Sequence, residues 1–193
     1  MEKNLMWYKD KRIENLSEIL MDKEYEVIKT DSIKEAKSRI LSLLAKDKKI
    51  ALGDTWELND EEFIKELEKF DFYNFFTCDK EKREEVRRES LLADIALLEG
   101  EFITQNGQVV VVGDYNTSST LFGAKKIIIL LSEKKIIKNL DAAFKRVDDL
   151  EKYYRMRSEK MGNSCDGLSI GVIENARKFP GRITLVISRD SEE

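Results

Sequence analysis

The hydrophobic positions change period several times along the chain, and each change marks an element. Leu5, Met6, Trp7, Ile13, Leu16, Ile19 and Leu20 recur at spacings of three and four, predicting an amphipathic helix from Leu5 to Met21 that packs onto the domain. Tyr25–Lys29 reads as a short strand, and Thr30-Asp31-Ser32 offers an N-cap to a helix carrying Ile33, Ala36, Ile40, Leu41 and Leu44. The pairing then repeats. Lys49–Gly53 is a second strand, ended by Gly53-Asp54-Thr55-Trp56, and Asn59-Asp60-Glu61-Glu62 opens a third helix with acids where the macrodipole favours them. Asp71–Cys78 is aromatic-rich and reads as a third strand, after which Asp79 can cap a charged helix running to about Leu92. Three strand–helix pairs in succession make a mostly parallel sheet with crossover helices the economical architecture.

The middle of the chain departs from that rhythm. Ala93–Gln105 looks extended, Asn106-Gly107 is a strong hairpin signal, and Gln108–Gly113 returns, so an antiparallel β-hairpin is expected here. A polar loop, Asp114–Thr120, then leads to a short helical turn at Leu121-Phe122 and a buried strand, Lys126–Leu131. Ile136–Leu150 reads as a helix with Leu140, Ala143, Phe144 and Val147 on one face. No period dominates from Tyr153 to Ala176, although Val172–Lys178 has a helical reading, and Arg182–Ser188 closes the sheet. The expected fold is α/β: a three-layer, mostly parallel sheet with helices on both faces and an inserted hairpin. It is expected as one domain over residues 1–193, with residues 1–22 as a helix packed on it.

Composition narrows the chemistry. The 193 residues include no histidine, which excludes a Ser-His-Asp triad, a Cys-His pair and any imidazole acid, base or metal ligand. Cys78 and Cys165 stand far apart, so neither a zinc knuckle nor a CxxC redox motif nor a cysteine-held cluster fits within the chain. No metal and no cofactor are therefore expected. The net charge is −4 with both signs interspersed, which gives no support for nucleic-acid binding. The stretch Lys80–Arg88 mixes both signs at helical spacing and reads as a solvated face, with an anion contact through Arg87 or Arg88 as the rival reading. No apolar run is long enough for a membrane segment, so a cytoplasmic protein with free thiols is expected, Cys78 packed beside the aromatic run that precedes it.

Several phrases carry a family resemblance. Phe122-Gly-Ala-Lys-Lys-Ile-Ile-Ile-Leu, followed by Lys134-Lys-Ile-Ile-Lys-Asn-Leu-Asp-Ala-Ala-Phe-Lys-Arg-Val, is similar to the lactate-utilisation (LUD) domain family, closest to its small stand-alone bacterial members. Trp7-Tyr8-x3-Arg12-Ile13, Ala51-Leu-Gly-Asp-Thr55, Ser90-x2-Ala93-Asp94, Ile103-Thr-x-x-Gly107 and Gly181-Arg182-Ile183 stand in the matching order. The resemblance covers almost the whole chain and implies the three-layer fold shared by CoA transferases, ribose-5-phosphate isomerase and glucosamine-6-phosphate deaminase. It also implies a setting in lactate or organic-acid metabolism. Two departures stand out. The D-G-x-G-N-R loop of similar proteins is shortened to Gly113-Asp114-Tyr115-Asn116-Thr117 without its arginine, and their cysteine cluster is reduced to Cys165 in Met161–Gly167.

Ligands of open α/β sheets sit beyond the carboxyl ends of the strands. That rule selects Thr30, Asp31 and Ser32; Gly53, Asp54 and Thr55; and the loop after Val112. Asp114, Tyr115, Asn116, Thr117, Ser118, Ser119 and Thr120 form the most site-like stretch, able to hold a carboxylate or phosphate, with Lys125 or Lys126 as nearby charge. For catalysis, Glu99 and Glu101 are candidate nucleophiles by analogy with CoA transferases of this broad fold, against the plainer reading of outward-facing strand residues. Tyr153, Tyr154, Arg155 and Arg157 are a further anion-binding set, or else an ordinary helix end. Three functional readings stay open. One is a protein binding a small anionic metabolite at the strand ends. Another is a non-enzymatic partner or homo-oligomer joined through the Leu5–Leu20 helix or the Val109–Val112 hairpin. The last is a CoA-transferase-like enzyme.

Overall fold

The computed structural model describes residues 2–113, 116–160 and 167–189. Helix α1 (Glu2–Asp22) leads into β1 (Glu26–Thr30), α2 (Ile33–Ser42), β2 (Lys49–Leu52), α3 (Glu61–Leu67), β3 (Asp71–Asn74), α4 (Arg83–Leu91) and β4 (Ile95–Glu99). The second half runs β5 (Phe102–Thr104), β6 (Val109–Gly113), α5 (Thr117–Gly123), β7 (Lys126–Ser132), β8 (Ile136–Ile137), α6 (Leu140–Lys160), β9 (Ser169–Ile173) and β10 (Ile183–Ser188). Two helix starts follow the expected chemistry, whereas α4 begins at Arg83 without the expected cap from the Asp79 side chain. Ser32 accepts the Glu35 amide and Asp60 the Phe63 amide, each satisfying a donor that the first helical turn leaves open.

Among the described residues the strands form a six-stranded parallel sheet, in the order β1-β10-β7-β4-β2-β3, and a four-stranded mixed sheet, β8-β5-β6-β9. Strands buried on both faces read as continuous aliphatic runs, and Ile127–Leu131 shows why. Ile128 and Leu130 pack with Leu52, Leu97, Ile40 and Phe63 under α2 and α3, while Ile127, Ile129 and Leu131 face α1, α5 and the second sheet. The outer face of that second sheet, through Phe102, Val110 and Val112, is covered by Ala143, Val147 and Tyr154 of α6. The α/β architecture with helices on both faces of a mostly parallel sheet is thus what the chain adopts.

The expected hairpin is the centre of the second sheet rather than an insert on the first. Phe102 pairs with Val110 and Ile103 with Val109, and Gly107 turns the chain at a φ of 75° that a side chain would resist. The stretch 93–105 is accordingly two strands in two sheets. They part at Gly100, where a Cβ would stand 2.2 Å from Leu131 Cδ2, so only a bare backbone passes. Val109–Val112 is central and buried, which removes it as a surface for a second copy. The α1 stripe of Ile13, Leu16 and Leu20 is buried as well, leaving Trp7 and Tyr8 exposed.

Four boundaries differ from the sequence reading. Strand β3 stops at Asn74, whose side chain accepts the Phe76 amide and turns the chain before Cys78. Helix α5 begins at Thr117, so half of the expected polar loop is helical. Ile136–Ile137 is a strand beside β5, and the helix waits for Asn139, whose side chain accepts the Ala142 amide; it then continues to Lys160. Val172–Lys178 is not a helix, because Ser169–Ile173 pairs with β6 and Asn175 turns the chain after it. The stretch Met161–Asp166, with Cys165, lies outside the described residues.

Candidate functional site

The strand order fixes where a site belongs. The chain leaves β2 towards β3 and leaves β4 towards β7, so the connections from these neighbouring strands depart in opposite directions. Such a switch point opens a crevice outside the carboxyl ends of the strands. A cavity of about 550 Å³ lies there. Trp56 and Glu57 after β2, Glu99 and Glu101 at the end of β4, Leu130, Ser132, Lys134 and Lys135 at the end of β7, and Tyr153 and Tyr154 of α6 line it, with Ile33 and Leu150.

Glu99 is the deepest charge in this wall, only 6% exposed. Its Oε1 accepts the amides of Trp56 at 2.9 Å and Leu58 at 2.8 Å, while Oε2 takes no hydrogen bond from the described residues. Burial pushes the Glu99 carboxyl above its ordinary range, against the opposing pull of those amides and of Lys135. Since both amides point at Oε1, the proton of the neutral form resides on Oε2. Glu101 is less buried and stands 3.7 Å from Lys135. The aromatic wall is held in place by stacking: Trp56 lies 4.8 Å from Tyr153, centroid to centroid, and the Arg157 guanidinium sits 3.7 Å from the Trp56 ring centre. Arg157 also donates to the Thr55 carbonyl at 2.7 Å, and the Tyr154 hydroxyl to the Val112 carbonyl at 3.2 Å. Together they tie α6 to both sheets.

A second polar cluster lies beside the cavity and does not line it. Asn116 donates to the Leu52 carbonyl and the Ser90 hydroxyl, Thr117 donates to Asp54 Oδ2 at 3.1 Å, and Thr120 bonds back to the Asn116 and Thr117 carbonyls. Gly113 and Gly53 make this possible. A Cβ on Gly113 would stand 1.8 Å from Thr117 Oγ1 and 2.5 Å from Asp54 Oδ2, and one on Gly53 would meet Leu98 at 2.2 Å. The structure therefore brings together Gly53, Asp54, Thr55, Asn116, Thr117 and Ser119, all buried, and leaves Ser118 exposed; Asp114 and Tyr115 lie outside the described residues.

A model of the LUD domain matches residues 13–186. The chain belongs to the LUD domain family. A solved structure of a DUF162 family protein from Deinococcus radiodurans is similar over 94% of this chain and 98% of its own, with a TM-score of 0.57 at 11% identity, a likeness of fold. Comparison with curated proteins found no match. Membership relates the protein to lactate utilisation, from which the family takes its name.

The phrases that carry the LUD resemblance meet in space. Arg182 donates to the carbonyls of Leu121 and Ala124, closing the end of α5, and Arg12 of α1 donates to the Ile136 carbonyl at 2.6 Å. Other residues singled out from the sequence of this LUD protein serve local structure. Ser32 caps α2, and Lys125 and Lys126 pair with Asp94 and Glu26 at the amino ends of the strands, opposite the cavity. Arg87 and Arg88 pair with Glu84, and Arg155 with Glu151. Sequence reasoning missed Trp56, Ser132, Lys134 and Lys135 as cavity residues. The strand-end rule applied to β7 would have found the last three, once Glu133–Lys135 was recognised as a turn rather than a helix approach. Among the described residues no cluster of metal-binding side chains is present and no helix is long and apolar enough to cross a membrane.

Proposed function

We propose that this LUD protein binds a small organic anion, of the carboxylate or phosphate class, in the cavity at the β2–β4 switch point. The observation that carries this reading is the position of Ser132, Lys134 and Lys135 beside Glu99, at the ends of the adjacent strands β7 and β4, in the place where open α/β sheets hold their ligands. The lysines supply charge and Ser132 a hydroxyl. Glu99 adds to the same lining its Oε2, which takes no hydrogen bond from the described residues. Gly53, Asp54, Thr55, Asn116, Thr117 and Ser119 act behind the cavity, fixing the backbone that presents Trp56 and Glu57.

A thermal-shift screen with lactate, pyruvate, CoA esters and sugar phosphates tests it. A ligand at 100 times its dissociation constant adds about 2.7 kcal/mol, well within detection. The expected result is stabilisation by a subset of these anions that weakens in Lys135→Gln. Failure of every anion to stabilise the wild type would remove the reading.

A second reading is favoured by the burial of Glu99 within the cavity: a CoA-transferase-like reaction with Glu99 or Glu101 as nucleophile. It requires transfer of CoA from an acyl-CoA to the carboxylate of a second organic acid, releasing the first acid, and this transfer disappears in Glu99→Gln or Glu101→Gln. Unchanged turnover in both variants would dispose of it.

A further inference from the structure

The cavity wall divides by chemistry. One side carries Ser132, Lys134 and Lys135, with Glu101 paired to Lys135 at 3.7 Å, all at the ends of β4 and β7 or just after them. Apart from the carboxylates Glu57 and Glu99, the remaining lining is apolar or aromatic: Leu150, Tyr153 and Tyr154 of α6, Ile33 of α2, Trp56 after β2 and Leu130 of β7. An anion held by the lysines has no use for that second wall unless it carries a group that covers it. Size points the same way. A cavity of about 550 Å³ falls in the range of pockets that enclose ligands much larger than a three-carbon acid, roughly 300–1,000 Å³. The aromatic wall is also fixed before any ligand arrives, because Trp56 is already stacked on Tyr153 and packed against Arg157. A preformed apolar surface binds without an ordering cost of its own.

We infer that the ligand of this cavity is an organic anion bearing an apolar or aromatic group, with its charge at Lys134 and Lys135 and that group against Tyr153 and Leu150. This rests on the anion-binding reading above and adds the substrate class to it. A bare hydroxy acid would bind through the ionic side alone and leave the second wall in contact with water.

Isothermal titration of the full-length protein with lactate and with 3-phenyllactate isolates the claim, because the two share a headgroup and differ by one phenyl ring. Burying that ring at roughly 25 cal/mol per Å² of apolar surface predicts binding at least about tenfold tighter for phenyllactate. Tyr153 is half exposed, so Tyr153→Ala keeps the fold while removing the wall, and it should bring the two affinities together by weakening phenyllactate alone. Equal affinities in the wild type overturn this inference and leave the anion site standing. Absence of binding by both acids, together with silence of the whole anion screen, overturns the site itself.

Discussion

Glu99, buried in the cavity wall, holds two backbone amides on one carboxylate oxygen, and it is one group through which the protein answers to pH. Burial raises its carboxyl above the ordinary range. A raised group contributes its stability fully below the unfolded-state value and loses it as pH rises through the folded-state value. Glu99→Gln keeps an oxygen for both amides and removes the titration. The variant should melt higher than wild type near neutral pH and match it in acid, as thermal denaturation across pH would show; parallel curves would mean that Glu99 does not titrate in this window. Gly113 sets a steric limit on the same region. Gly113→Ala drives a methyl into Thr117 and Asp54 and should cost about 1–3 kcal/mol, read as a lower urea midpoint with an unchanged slope. At this scale the sequence named Gly53, Asp54, Thr55, Asn116 and Thr117 because they are small and polar. It could not show that they are buried against one another, since burial depends on which elements are neighbours.

Helix α5 shows how neighbours are joined. Its N-terminal Asn116 ties the carbonyl of Leu52 at the end of β2 to the Ser90 hydroxyl in α4, so one side chain fastens three elements. Asn116→Ala takes a donor from the buried Leu52 carbonyl, while the Ser90 hydroxyl keeps its bond to the Val86 carbonyl, and a loss of about 1–3 kcal/mol is expected in chemical denaturation. Removal with no loss would show that the Leu52 carbonyl finds another partner. Elements with strong period or caps were legible, including α1, α2, α3, β2, β7, β10 and the Asn106-Gly107 turn. Those that failed were decided by distant contacts. Leu97 and Leu98 look like part of one extended stretch until β4 is seen slotted between β2 and β7, and Ile170 and Val172 are strand residues because β6 lies beside them. Glu99 and Glu101 became cavity residues only through that slotting, and the reading of Glu99 as outward-facing is corrected by it.

Across the whole molecule, α1 seals the apolar space between the central sheet and the second sheet, with Ile13, Leu16 and Leu20 packed among Leu98, Val109 and Leu131. Deleting residues 1–22 should expose this core, giving dye-binding, non-cooperative unfolding; a cooperative truncated protein would contradict the packing account. The parallel sheet and its helical layers were legible as a class, whereas the second sheet was not, because one hairpin signal does not reveal two further strands. That second sheet carries α6 over the strand ends and so makes the cavity. The central claim is that this cavity receives an organic anion, and Trp56 in its wall can report on it. In Trp7→Phe, which leaves Trp56 as the sole tryptophan, titration with lactate, 3-phenyllactate and sugar phosphates should give a saturable change in indole emission that Lys135→Gln weakens. Emission that stays constant through every titration of the folded protein would contradict the account.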